Sequence, residues 1–190
     1  MDTSWKRSPL ATPTAPSTAA RHIALRALAA VALLPRGAAA LVMAAAGRGG
    51  FARALLGAGP AAGSGTPRPG GTRTAAHAGA TALLGVLSLL LTGVLLTGVA
   101  RGPFYGLVEH GPYEHSWGGP GRTGAWVAHF AVSVPVVLAA MAALYGVAGL
   151  QCRLTAPLRG ERRGRWVVPA VLVCCAAGAL FAVAFSRQLP

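Results

Sequence analysis

The charged positions divide the chain into long uncharged intervals. Thr74 to Ala100 gives 27 residues between Arg73 and Arg101, with the core AGATALLGVLSLLLTGVLLTGVA. Thr123 to Cys152 gives 30 between Arg122 and Arg153, and Trp166 to Ser186 gives 21 between Arg165 and Arg187. About 20 mostly apolar residues, each rising about 1.5 Å, cross a hydrocarbon layer of about 30 Å. All three intervals meet that length, which predicts membrane spans over about 76–100, 124–150 and 166–186. They must be helical, because an open strand would leave backbone groups unpaired in lipid. Pro135 and Pro169 inside them would weaken a helix in water but are tolerated in membrane helices.

A fourth apolar stretch, His22 to Gly47, is interrupted by Arg26 and Arg36. Its uninterrupted pieces, Ala27–Pro35 and Gly37–Gly47, are each too short to cross. An arginine at mid-bilayer costs at least about 2.5–3.5 kcal/mol on insertion scales. A kinked full span, a hairpin or in-plane helix turning at Pro35–Arg36, and a long signal peptide are the three readings. The signal peptide is disfavoured, because Arg36 breaks the apolar region and the lead-in from Met1 is long.

Positive residues mark the cytoplasmic side. Segment 1–74 carries nine of them and segment 153–165 carries five, whereas 101–122 holds only Arg101 and Arg122. Three crossings then alternate cleanly: 1–74 and 153–165 inside, 101–122 outside. This favours a marginal helix over 22–47 that is re-entrant or in-plane and returns to its own side, making 22–57 a marginal membrane helix and basic stretch. Residues 1–21, rich in Pro, Ser and Thr, read as a disordered cytoplasmic tail, and 58–74 as a Gly/Pro linker. The membrane domain proper is 75–186. The fold class is an all-α integral membrane protein, multi-pass in the cell membrane, with its N-terminus in the cytoplasm.

Composition agrees with that class. Only 11% of residues are charged, against about 25% in soluble domains. Hydrophobic residues make up 54%, and mean hydropathy is +0.55. The net charge of +13 comes almost wholly from arginine, Lys6 being the one lysine. Arginines beside apolar segments are what cytoplasmic membrane loops carry, so nucleic acid is not an expected partner. The lipid bilayer is.

The outer loop, RGPFYGLVEHGPYEHSWGGPGRTGAW, concentrates the candidate chemistry. Glu109, His110, Glu114 and His115 form an E-H-x-x-x-E-H echo, flanked by Trp117 and Trp126. Imidazoles and carboxylates suit a transition metal, and histidine changes charge near neutrality. Solvated polar residues with aromatics in an interfacial belt are the plainer reading, and no metal or cofactor is expected. His129 lies about seven residues into the second span, where an ionisable side chain is a candidate functional group. Cys152, Cys174 and Cys175 have no metal spacing. Small residues four apart, Gly93 with Thr97 and Cys174 with Gly178, are candidate helix contacts. The chain has no phosphate-binding loop, no H-E-x-x-H and no G-x-S-x-G, and its four acids leave little for acid–base catalysis.

Trp117, Gly118, Gly119, Pro120, Gly124, Ala125, Trp126 and His129, followed by a long apolar helix, resemble the sensor domain of actinobacterial two-component histidine kinases. In that family a W-G-G-P-like turn leads into G-A-W-x-x-H, and the helix closes on a basic A-R-A-L-L-G-like stretch. That stretch appears here as Ala52-Arg53-Ala54-Leu55-Leu56-Gly57, with an echo at Leu158-Arg159-Gly160. The resemblance spans about 22–160, most strongly 82–160. The first membrane unit is short by the family's pattern, and after Gly160 comes another apolar interval instead of a kinase. The resemblance implies signal reception at the membrane without catalytic residues. The expected function is therefore non-catalytic and sensor-like, with a membrane kinase, a transporter or a second copy as partner. A small accessory subunit of a transporter or envelope complex is the alternative.

Overall fold

The computed structural model describes residues 18–58, 70–112, 116–162 and 164–187. The tail up to residue 17 and most of the Gly/Pro linker lie outside them. The elements are helices α1 (Thr18–Val31), α2 (Leu33–Ala45), α3 (Gly49–Leu55), α4 (Gly71–Arg101), α5 (Tyr105–Val108), α6 (Arg122–Thr155) and α7 (Val167–Ser186). A 3₁₀ turn, Ala156–Arg159, follows α6, and there is no strand among the described residues.

α4, α6 and α7 are the three helices long and apolar enough to cross a membrane, and they fall on the three uncharged intervals. α4 begins at Gly71, inside the stretch expected to be linker. α6 runs through Pro135 without interruption. α1 and α2 are the marginal fourth element, a pair bent by 42°. The bend has a covalent cause. Pro35 has no N–H for the carbonyl of Val31, and its ring crowds that carbonyl. The helix therefore breaks just after Val31, at Ala32, three residues before the proline, and not at the Pro35–Arg36 pair itself. A 42° bend at this break is the geometry of a broken span or of a re-entrant loop.

α2 packs antiparallel on α4. Leu34 backs onto Gly85, and Gly37 onto Thr81 and Ala82. A Cβ placed on Gly37 would come 2.5 Å from the backbone nitrogen of Ala82, and one on Gly85 would overlap the Leu34 backbone. These two glycines let the backbones approach, which is how helices pack where no water drives them together. α6 is antiparallel to α4 as well: Gly98 meets Val137, and Gln151 reaches Thr81 near the other end. α7 joins through Val167 and Val171, which share a core with Leu33, Leu84, Val147, Leu150 and Leu154. Ala27 and Ala30 of α1 pack with Leu144 and Ala148 of α6.

The buried positions of α4 are Thr74, His77, Ala78, Thr81, Leu84, Gly85 and Ser88, a seam at three- and four-residue spacing. Polar groups face inward along it. Their hydroxyls are satisfied within the helix: Thr81 Oγ1 donates to the His77 carbonyl (2.8 Å) and Ser88 Oγ to the Leu84 carbonyl (2.9 Å). The outward faces carry large apolar side chains, with Leu138 64% and Leu180 71% exposed. In water such a surface would drive aggregation; in lipid it is the solvated face. The chain is thus a multi-pass helical protein of membrane character.

Candidate functional site

The α4–α6 connection is fastened to the first turns of α6 by side chains. α4 ends at Gly102, which lies so close to the Ser133 side chain that a Cβ would overlap it. The chain then turns, and Trp126 Nε1 donates to the carbonyls of Gly102 and Pro103, each at 3.2 Å. Arg122 Nη2 donates to the Gly106 carbonyl at 2.7 Å. The buried Tyr105 ring stacks on the His129 imidazole, with centroids 4.0 Å apart and planes inclined by 15°. Trp126, Arg122 and His129 are one and two helical turns apart, so a single face of α6 holds residues 102–106.

His129 is fixed at both ends of its chemistry. Its Nδ1 lies 2.8 Å from the Ala125 carbonyl, an acceptor, so Nδ1 carries hydrogen there. The ring face is occupied by Tyr105. The W-G-G-P turn also has a local reason. Gly118 and Gly119 have φ of +98° and +101°, a left-handed conformation that side chains resist. A Cβ on Gly118 would also strike the Gly124 carbonyl.

Beneath this loop, between α4, α6 and α7, lies a cavity of about 550 Å³. Its walls are apolar, including Val132, Phe181 and Phe185, and its polar rim is Arg101, His129 and Ser133, with Trp117 beside them.

The sequence candidates are therefore divided. Trp117 and His129 line one cavity, and Trp126 and His129 hold the same turn of the loop. Glu109 is half-buried and His110 exposed, on the extended segment after α5, and neither lines the cavity. Glu114 and His115 lie outside the described residues. Among the described residues no three His, Cys, Asp or Glu side chains gather as a metal site would require. Tyr105 is the participant that sequence reading passed over. It was one aromatic among several in the loop, and only the fold shows that it is the one stacked on His129.

At the opposite end the 3₁₀ turn places Arg159 beside Glu161, Nε to Oε1 at 2.9 Å. The guanidinium holds the Glu161 carboxyl below the ordinary glutamate range, chiefly by hydrogen bonding. No family model matches the chain, and no curated protein or solved structure shows similarity to it.

Proposed function

We propose that this is a non-catalytic, sensor-like protein of the cell membrane, whose 102–121 loop receives an extracytoplasmic stimulus and whose α6 helix relays it. One observation carries the reading. The loop is clamped to α6 at Arg122, Trp126 and His129, and that helix continues unbroken for 34 residues to the basic end. A displacement of the loop therefore has a stiff lever to the far side, about 50 Å long at helical rise. The arginine distribution supports placing 153–165 in the cytoplasm and the loop outside. The resemblance of the W-G-G-P and G-A-W-x-x-H residues to the sensor domain of histidine kinases points the same way. The relay would end on a partner, a membrane kinase or a transporter, or on a second copy of the chain.

The stack of Tyr105 on His129 is the natural point of entry. Displacing Tyr105 from the imidazole would release α6 from the loop at that turn. The test is spin-label distance measurement between positions 71 and 162 in lipid nanodiscs, in the native chain, in Tyr105→Ala, which removes the stack, and in Tyr105→Phe, which keeps it. The distance is expected to change in Tyr105→Ala and to keep its native value in Tyr105→Phe. An unchanged distance in Tyr105→Ala would refute the relay and leave helix packing alone, the role of an accessory subunit.

A further inference from the structure

A second cavity, of about 540 Å³, lies near the basic end between α1, α2, α3, α4 and α6. Three arginines line it: Arg26, Arg36 and Arg159. Their charges are unequally answered. Arg159 is paired with Glu161 and donates to the Thr155 hydroxyl and the Cys152 carbonyl. Arg26 lies over the Tyr145 ring, 5.1 Å from its centroid, and neither Arg26 nor Arg36 has a carboxylate partner among the described residues. Gln151 lines the same cavity and is only 8% exposed. Its Nε2 donates to Thr81 Oγ1 at 2.9 Å, and its Oε1 accepts nothing. The cavity thus presents two cations without carboxylate partners among the described residues.

It adjoins an apolar groove of about 1300 Å³ between α4, α6 and α7. Arg26 and Cys152 line both. Along α6 the groove extends from Arg153 to Val136. At helical rise that is about 25 Å, longer than one leaflet's share of the hydrocarbon core, about 15 Å.

We propose that the chain holds one anionic phospholipid, with its phosphate at Arg26 and Arg36 and an acyl chain in the groove. Guanidinium groups bind phosphate oxygens through paired, charge-assisted hydrogen bonds. Two arginines set in a marginal apolar stretch then have a physical reason: each faces an anion supplied by the membrane. The groove argues for a lipid over a soluble organophosphate, because a soluble ligand would leave that apolar wall unused. This inference stands apart from the outer-loop reading, and neither depends on the other.

Native mass spectrometry of the detergent-solubilised full chain tests it. The ligands are phosphatidylglycerol, phosphatidylcholine with the same acyl chains, and glycerol 1-phosphate. One phosphatidylglycerol per chain should be retained, about tenfold more strongly than phosphatidylcholine. The double variant R26Q/R36Q should lose that preference. Ala143→Phe, which narrows the groove from a half-buried position in its wall, should weaken retention while leaving both arginines in place. Equal retention of the two lipids would overturn the proposal, and this comparison needs no variant. Retention unchanged in a helical R26Q/R36Q or in Ala143→Phe would overturn it too. Displacement of the lipid by equimolar glycerol 1-phosphate would overturn the lipid assignment in favour of a soluble phosphate.

Discussion

Replacing Gly37 by alanine adds one methyl group where α2 touches α4, and the structure says how much room there is. The new Cβ would lie 2.5 Å from Ala82 N, 2.8 Å from Ala82 Cα and 2.9 Å from the Thr81 carbonyl carbon. Ordinary contact begins at 3.4 Å, so relief requires 3.4 − 2.5 = 0.9 Å of movement. All three atoms are backbone, so no side chain can swing aside; the two helices must separate. Overpacking of this kind costs about 1–3 kcal/mol. At 1.4 kcal/mol per tenfold, the unfolded fraction rises roughly 5- to 150-fold. Gly79→Ala, on the facing helix α4, is the control, since nothing lies within 4 Å of its Cβ position. Removing that glycine should be neutral or stabilise by up to about 1 kcal/mol. The assay is reversible unfolding in bicelles, followed by steric trapping or by helicity on titration with SDS. If Gly37→Ala is no more destabilising than Gly79→Ala, the close approach of α2 to α4 does not exist, and the packing of the fourth element described above fails with it.

Other outcomes follow from single contacts. Trp126→Phe removes the indole donor shared by Gly102 and Pro103, worth about 0.5–1.5 kcal/mol, and should speed hydrogen exchange across 102–108 without changing overall helicity. Gln151→Leu should change stability by less than about 1 kcal/mol in the same unfolding assay, because hydrogen bonds between membrane helices average about 0.6 kcal/mol and the variant also removes an unpaired acceptor. The Arg159–Glu161 pair should respond to acid. The Glu161 pKa is depressed in the folded chain, so the pair's contribution is present above the ordinary value of about 4.3 and lost as pH falls through the lower folded value. Exchange at 156–162, compared between the native chain and Glu161→Gln, should therefore differ at pH 6 and converge as the pH falls through the lowered folded value. A difference that persists in acid would show that the pair is not the cause.

The three long helices were legible in the sequence because lipid makes a single demand, about 20 residues without charge, and Arg73, Arg101, Arg122, Arg153, Arg165 and Arg187 bracket them. Helix contacts were not legible in the same way. In a chain rich in glycine and alanine, spacing alone cannot say which small residues are interfacial. Of the pairs it suggested, Gly178 does meet Leu87, but Gly93 has nothing within 4 Å and Thr97 is exposed. The close approach is instead at Gly37 and Gly85, which lie on different helices and form no motif within either. The bend at Ala32 was half legible: the proline marks it, and its geometry places it three residues earlier. In the loop, Trp117, Trp126 and His129 could be named from residue type, but their division of labour depends on which face of α6 holds residues 102–106. Arg26 and Arg36 read in sequence as obstacles to a span. Only the fold sets them around one cavity with Gln151.

The central claim is that the chain passes through a bilayer between residues 102–121 and residues 153–165. Single cysteines at Leu107 and Arg162, in a background with Cys152, Cys174 and Cys175 replaced, test it by labelling intact cells with a membrane-impermeant maleimide. The expected result is labelling at position 107 from outside and at position 162 only after permeabilisation. Equal labelling of both positions in intact cells would contradict the crossing, and the reverse pattern would contradict its direction.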